Sequence, residues 1–351
     1  MWHPRFRQLA LRHGPCILAL SLCACIDDGP RDDKVAPPEL PFEYATERLT
    51  IHSDIQRCEG DFARWESFIS HAETYLGLTV SGAVELNVWE TEDFDGERYC
   101  GGDWGGCYRR AGQRIYSGAA TVEHELVHAV ASELANRDAF FEEGLAEALS
   151  ASPQFGRYAP WFPVKGSGDV DYPSAGHFVR WLLETRGPDP LLSHMSAPGG
   201  VTEFEAIYAQ SLTEMTAEYF ADAASSYPRL HDYPAPAFEA QGEGLWSSVI
   251  EFDCAGDDVR GAADGLEAIR ELTVPKTGFY AIWSSAGGRV RGREKTGSGN
   301  AFAVVGDQIA AGPIEAGTYE VGIVGPPGVD SGVVIVWESL TARPVPPGGL
   351  P

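Results

Sequence analysis

Positive charge is scarce in this chain: 26 Lys and Arg stand against 51 Asp and Glu in 351 residues, for a formal net charge of −25. That balance leaves no basic stripe of the kind nucleic acid requires, so nucleic acid is excluded as a partner class. The acidity reads first as a solvated surface, and attraction of basic substrates is the lesser alternative. Long apolar runs are also missing. The run Cys16-Ile17-Leu18-Ala19-Leu20-Ser21-Leu22 falls well short of the roughly 20 residues that span a bilayer. No Gly-rich phosphate loop, Gly-x-Ser-x-Gly elbow or dinucleotide fingerprint is present, so serine-hydrolase and cofactor chemistry lose support. Cys-x-x-Cys spacing is absent, which argues against a four-cysteine zinc site. Nor is there a repeat of solenoid period.

What the chain does have begins with an address. Arg5, Arg7 and Arg12 precede the short apolar run, the layout of an export signal. The stretch Leu22-Cys23-Ala24-Cys25 resembles a bacterial lipobox, which implies lipidation of Cys25 and a cell-envelope lipoprotein. Cleavage near Ala24 with free secretion is the alternative. Removal of residues 1–25, which hold three Arg and no acidic residue, makes the mature chain three charges more negative. Residues 26–44, charged and proline-bearing, read as a flexible tether.

Four cysteines remain beyond the leader: Cys58, Cys100, Cys107 and Cys254. An even number in an exported protein suggests two disulfides. Cys100 and Cys107 flank a glycine-rich loop and are the preferred pair. Cys58–Cys254 then follows by elimination and would clamp the N-terminal segment to the C-terminal region.

The most informative residues are His124-Glu125-Leu126-Val127-His128, followed fifteen positions after His128 by Glu143-Gly144-Leu145-Ala146-Glu147. Apolar periodicity through Val122, Leu126, Val127, Val130 and Leu134 predicts a helix. On it, His124 and His128 lie one turn apart and aim at a common point. Zinc accepts two such nitrogens, needs a third protein ligand, and in catalytic sites keeps one position open. Asn136-Arg137-Asp138 is turn material, and the short link predicts a second, antiparallel helix. Glu143 near its start can return to the metal, although Glu142 competes for that role. Glu147, one turn later, is placed to orient a ligand imidazole. Glu125 is the group available to take a proton from water.

His-Glu-x-x-His followed by Glu-Gly-Leu-Ala-Glu resembles the gluzincin metallopeptidases, the broad group that includes thermolysin and the zinc aminopeptidases. The resemblance spans about residues 45–225. It implies His124, His128 and Glu143 as ligands of one Zn²⁺, with the ligand carboxylate immediately before Gly144, and Glu125 as general base. Tyr172-Pro173-Ser174-Ala175-Gly176-His177-Phe178-Val179 is similar to a Tyr-x-x-Ala-Gly-Ser-Phe-Val stretch of gluzincin-like proteins, with His177 where a small residue is usual. Tyr172 and His177 are candidates for stabilising an oxyanion. His231 and Tyr233 are weaker ones, and His52, His71 and His194 lack partners in sequence.

Strands are predicted over 48–52, 84–89 and 114–117, and helices over 61–76, 174–186, 188–196, 202–210 and 212–225. An irregular loop between Glu147 and Tyr172 is placed over the cleft. Beyond residue 245 short runs of β-formers with Gly and Pro turns take over: 266–274, 278–283, 301–305, 317–324 and 332–337. Two of them resemble the Pro-x-x-Gly-x-Tyr strands of small β-sandwich modules appended to secreted bacterial peptidases.

The expected fold is therefore α+β: a zincin-like metallopeptidase domain over 45–235, with a small N-terminal sheet, active-site helices and a helical cap. An all-β sandwich over 245–342 and a disordered tail over 343–351 follow. The expected function is zinc-dependent hydrolysis of a peptide or protein substrate at the cell envelope, with the membrane reached only through the lipid anchor. A non-catalytic, zinc-containing envelope binding protein that acts through its sandwich is the alternative.

Overall fold

A computed structural model describes residues 38–90, 93–134, 138–151, 170–197, 199–295, 301–305 and 310–338. The leader with Cys25, residues 26–37 of the tether, most of the loop expected over the cleft and the 343–351 tail lie outside the described residues.

The N-terminal region opens with β1 (Phe42–Ala45), which the sequence reading placed in the tether and the end of which starts the domain, and β2 (Leu49–Ser53). Helix α1 (Glu59–Leu76) follows, then β3 (Val84–Trp89), α2 (Gly96–Cys100), β4 (Gly106–Arg109) and β5 (Arg114–Gly118). The sheet runs β1-β2-β3-β5-β4. Its three central strands are parallel, while β1 and β4 close the two edges antiparallel. Val84, Leu86 and Val88 are fully buried on alternate positions of β3, the period-2 signature of a packed face. Trp65, Phe68, Ile69 and Ala72 of α1 belong to the same core.

Two helices follow the sheet, α3 (Val122–Val130) and α4 (Ala139–Ser150). Helix α3 ends four residues earlier than the periodicity predicts; residues 131–133 form turns, and Leu134 still reaches the core. The cap consists of α5 (Tyr172–Arg186), α6 (Pro188–Ser196), α7 (Val201–Tyr208) and α8 (Leu212–Asp222). Prolines in the first turns of α5 and α6 cost no hydrogen bond there. Ser211 and Glu214 form a capping box at the start of α8.

The C-terminal region contains β6 (Glu239–Gly242), β7 (Leu245–Glu251), β8 (Val259–Ala262), β9 (Gly265–Val274) and β10 (Gly278–Ser284). It continues with β11 (Arg289–Glu294), β12 (Ala301–Val305), β13 (Ala310–Ile314), β14 (Gly317–Gly325) and β15 (Ser331–Glu338). They form two antiparallel sheets, β13-β10-β15-β7-β6 and β12-β11-β14-β9-β8. Ile250, Leu272, Tyr280, Val290, Ile323 and Val336 lie in the core of this sandwich.

The two regions are joined covalently. A disulfide links Cys58, at the start of α1, to Cys254 in the sandwich. Beside it the buried Asp61 carboxylate accepts N–H groups from Cys58, at 3.0 Å, and from Gly261 of β8, at 2.8 Å. Among the described residues no helix is long and apolar enough to cross a membrane.

Candidate metal centre

Helix α3 sits in the core with every residue but Glu123 buried, so the imidazoles and the carboxylate of Glu125 are buried with it. His124, Glu125 and His128 are 7%, 0% and 4% exposed. Helix α4 packs beside it, started by Asp138, whose carboxylate accepts the Phe140 N–H at 3.1 Å. One turn in, Glu143 is 1% exposed and faces α3. Its Oε2 lies 3.1 Å from His124 Nε2 and 3.3 Å from His128 Nε2. The two Nε2 atoms are themselves 3.3 Å apart. One donor atom from each of the three residues falls within 4.8 Å of the others, the only such cluster among the described residues. Glu143, and not Glu142, is the carboxylate in the cluster.

Glu147 lies on the same face of α4, and its Oε1 is 3.2 Å from His124 Nδ1. A carboxylate can only accept, so Nδ1 carries the proton and Nε2 of a neutral His124 presents a lone pair. That lone pair then meets the Glu143 carboxylate oxygen and a second imidazole nitrogen. The contact is repulsive unless a positive charge sits between them. In the bare protein a proton supplies it. Burial lowers the His124 pKa, but hydrogen bonds to Glu143 and Glu147 overcome it and raise it well above the ordinary value. Burial likewise raises the pKa of Glu143, and the charges of His128 and His124 reverse this and lower it. A divalent cation would satisfy the same three lone-pair-bearing atoms, two imidazole nitrogens and a carboxylate oxygen, a donor set that suits zinc.

Glu125 points into the same interior. No side chain among the described residues donates to its carboxylate, which has only the Tyr108 backbone N–H beside it. Burial raises its pKa to about 8; His124 opposes the shift, while Glu143 and Glu147 add to it. A cation held by the cluster would favour the ionised form. A buried carboxylate with no side-chain donor, beside three convergent donor atoms, is what a metal site with a general base requires.

Sequence reasoning missed the glycines that make room for this arrangement. A Cβ at Gly106 of β4 would lie 2.8 Å from Glu125 Oε1 and 2.9 Å from Ser117 Oγ. Strand β4 is braced on both sides of that point. Cys107 is disulfide-bonded to Cys100, and the Thr121 hydroxyl donates to Gly105 O at 2.7 Å. Gly144 and Gly176 bring α4 and α5 together: a Cβ on Gly176 would lie 2.5 Å from Glu147 Cβ, and one on Gly144 would lie 2.7 Å from Val179 Cγ2. Both glycines stand inside the quoted motifs, but nothing local in sequence says what they approach.

The two oxyanion candidates part company. Tyr172, at the start of α5, is buried with its ring centroid 6.1 Å from that of His124. His177 is not brought to the cluster. Its Nε2 donates to Ala224 O at 3.0 Å, so its Nδ1 accepts from the Tyr219 hydroxyl at 2.6 Å. With both nitrogens used in anchoring α5 to α8 and the segment beyond, the ring serves packing.

No protein-family model and no curated protein sequence matches the chain. Among solved structures it is similar to the pre-peptidase C-terminal domain of collagenase from Bacillus anthracis, at 12% identity over 31% of this chain and 100% of that one, with a TM-score of 0.20. A GH26-CBM35 β-(1,4)-mannanase from Podospora anserina matches at 16% identity over 30% of this chain and 29% of that one, TM-score 0.17. A β-1,3-glucan-binding CBM6 from Bacillus halodurans matches at 17% identity over 30% and 98%, TM-score 0.16. At these TM-scores none of them bears on the site.

Proposed function

We propose that this protein is a zinc-dependent peptide-bond hydrolase. The observation that carries the reading is the convergence of His124 Nε2, His128 Nε2 and Glu143 Oε2 beside the fully buried Glu125 carboxylate. Among the described residues no fourth His, Cys, Asp or Glu joins the three, which supports a catalytic site over a closed structural one. His124, His128 and Glu143 would hold the zinc. When bound, zinc supplies Lewis acidity and lowers the pKa of water towards ~7.

The protein's own groups account for the rest. Glu147 holds the His124 proton on Nδ1 and so keeps Nε2 turned to the cluster. Glu125 takes a proton from the attacking water and passes it to the leaving nitrogen. Its complete burial keeps bulk water from competing for that proton. Tyr172, whose ring centroid lies 6.1 Å from that of His124, is the hydroxyl assigned to donate to the developing oxyanion. The location that goes with this reading is the cell envelope, by lipidation at Cys25. Two disulfides in the folded region support an oxidising compartment.

The test is cleavage of a diverse peptide library by chain lacking residues 1–25. Cleavage should stop with a chelator and return with zinc. A zinc-loaded, folded protein that cleaves none of the library would favour the non-catalytic alternative.

A further inference from the structure

Two large apolar side chains stand out on the described surface: Val249 is 69% exposed and Phe279 52%. Both belong to one sheet, β13-β10-β15-β7-β6. Successive residues of a strand point to opposite faces, and Tyr280, Ile282, Val334, Val336 and Ile250 fill the core of the sandwich. Their neighbours on β10, β15 and β7 therefore form the outer face. Besides Val249 and Phe279 it carries the half-buried Trp283, Val333, Ile335, Trp337, Leu245 and Ser247. Charged side chains make up 22% of the chain, yet none stands among these positions. Glu239 and Glu251 lie at the margin. The other sheet is the one turned to the helical region, where Arg64 of α1 reaches Glu320 of β14 at 4.0 Å and Gly60 abuts Val259 of β8. The apolar face thus lies on the opposite side of the sandwich.

We propose that a second copy of this chain covers the face, in a two-fold dimer joined through the sandwiches. Strands about 4.8 Å apart, with same-face residues about 6.7 Å apart along each, make the face roughly 20 Å by 20–25 Å. That is about 400–500 Å² per copy, so a pair buries about 1,000 Å², the area from which specific interfaces begin. Left bare, it would rank with the larger apolar patches of monomers. The register supplies self-complementarity. Ile335 of β15 has Trp283 of β10 on one side and Ser247 of β7 on the other, a row with bulk at one end and little at the other. A two-fold axis along β15 exchanges the ends of that row. Trp283 of each copy then lies over Ser247 of the other, and the two sheets pack aligned, about 10 Å apart. Chemistry disfavours two other occupants. The acidic margin repels an anionic lipid surface, and a face with Ser247 as its one hydroxyl side chain would leave most hydroxyls of a saccharide without partners. The inference rests on the sandwich alone and not on the metal centre.

The experiment is sedimentation velocity of the mature chain from about 1 to about 500 µM, at low and at high salt. A reversible monomer–dimer equilibrium is expected. It should tighten with salt, because two strongly acidic copies repel one another outside the uncharged face. Val249→Glu and Ser247→Asp each place a charge in the interface and should raise the dissociation constant about tenfold or more. Thr273→Asp, at an exposed position of the other sheet, should leave it unchanged. A monomer at every concentration overturns the proposal, as does a dimer that salt loosens or that the three variants affect alike. A monomer that instead floats with phosphatidylcholine vesicles gives the face to lipid, and this too overturns the second copy. Should the face variants not fold, hydroxyl-radical footprinting of the wild type decides. Oxidation of Phe279, Trp283 and Trp337 should fall as concentration rises, and constant oxidation contradicts the interface.

Discussion

At the scale of single residues, the proposed centre divides labour between atoms that would hold zinc and one that would take a proton. Glu125→Gln keeps the shape of the side chain and loses the ability to accept a proton. It should retain zinc and fold while lowering turnover by about 10²–10⁴-fold, read from peptide-cleavage kinetics beside metal content. A loss of no more than a few-fold would remove Glu125 from the role of base. His194 offers a stability test away from the metal. It is fully buried against Phe141 and Phe204, and burial lowers its pKa to about 4. The unfolded chain, with an ordinary His near 6.5, therefore binds a proton between those values that the folded chain refuses. Stability should be full above about pH 6.5, fall as the pH drops, and level off below about pH 4. His194 contributes on the order of 3 kcal/mol to that fall. Urea titrations of wild type and His194→Phe across this range should show a shallower acid slope in the variant; parallel slopes would contradict the assignment.

Elements carry the next layer, because β4, α3, α4 and α5 set where those atoms meet. Gly106→Ala places a methyl against the Glu125 carboxylate and should cut activity by about 10²-fold through misplacement alone, with zinc retained. Gly176→Ala pushes α5 from α4 at Glu147. A stability loss of about 1–3 kcal/mol and zinc affinity weaker by about 10–100-fold are expected, measured by denaturation and chelator competition. How much of this was legible in sequence follows from the range of the interactions. The meeting of His124 with His128 is a property of helical pitch, and the return of Glu143 follows from a short link between helices, so local pattern sufficed. Burial in α5 places His177 in contact with Tyr219 and Ala224, more than forty positions away, and no local pattern reports that. Strand β4 is four residues in a glycine-rich loop, too short to show alternation. Strand β11 was missed for another reason: its buried face is Val290, Gly292 and Glu294 and its outer face Arg289, Arg291 and Arg293, so hydrophobicity does not mark it.

At the scale of the whole molecule, the metal-centre region and the sandwich are held by one covalent link and a buried carboxylate. The Cys58–Cys254 bridge closes a loop with a sequence separation of 196, and on the chain-entropy model it stabilises by about 5 kcal/mol. Cys58→Ser with Cys254→Ser should lower the melting temperature far more than Cys100→Ser with Cys107→Ser, whose loop separation is only 7. Scanning calorimetry would show it, and equal shifts would mean that the denatured chain is not what the bridge restrains. The change from helical to strand-forming composition near residue 245 made the two-part architecture readable. The central claim is that His124, His128 and Glu143 hold one zinc that Glu125 serves without binding. Native mass spectrometry of the mature chain, with elemental analysis, measures this directly. The account predicts about one zinc per wild-type and Glu125→Gln chain, and little in His124→Ala, His128→Ala or Glu143→Ala. Zinc retained in full by Glu143→Ala, or lost from Glu125→Gln, would contradict it.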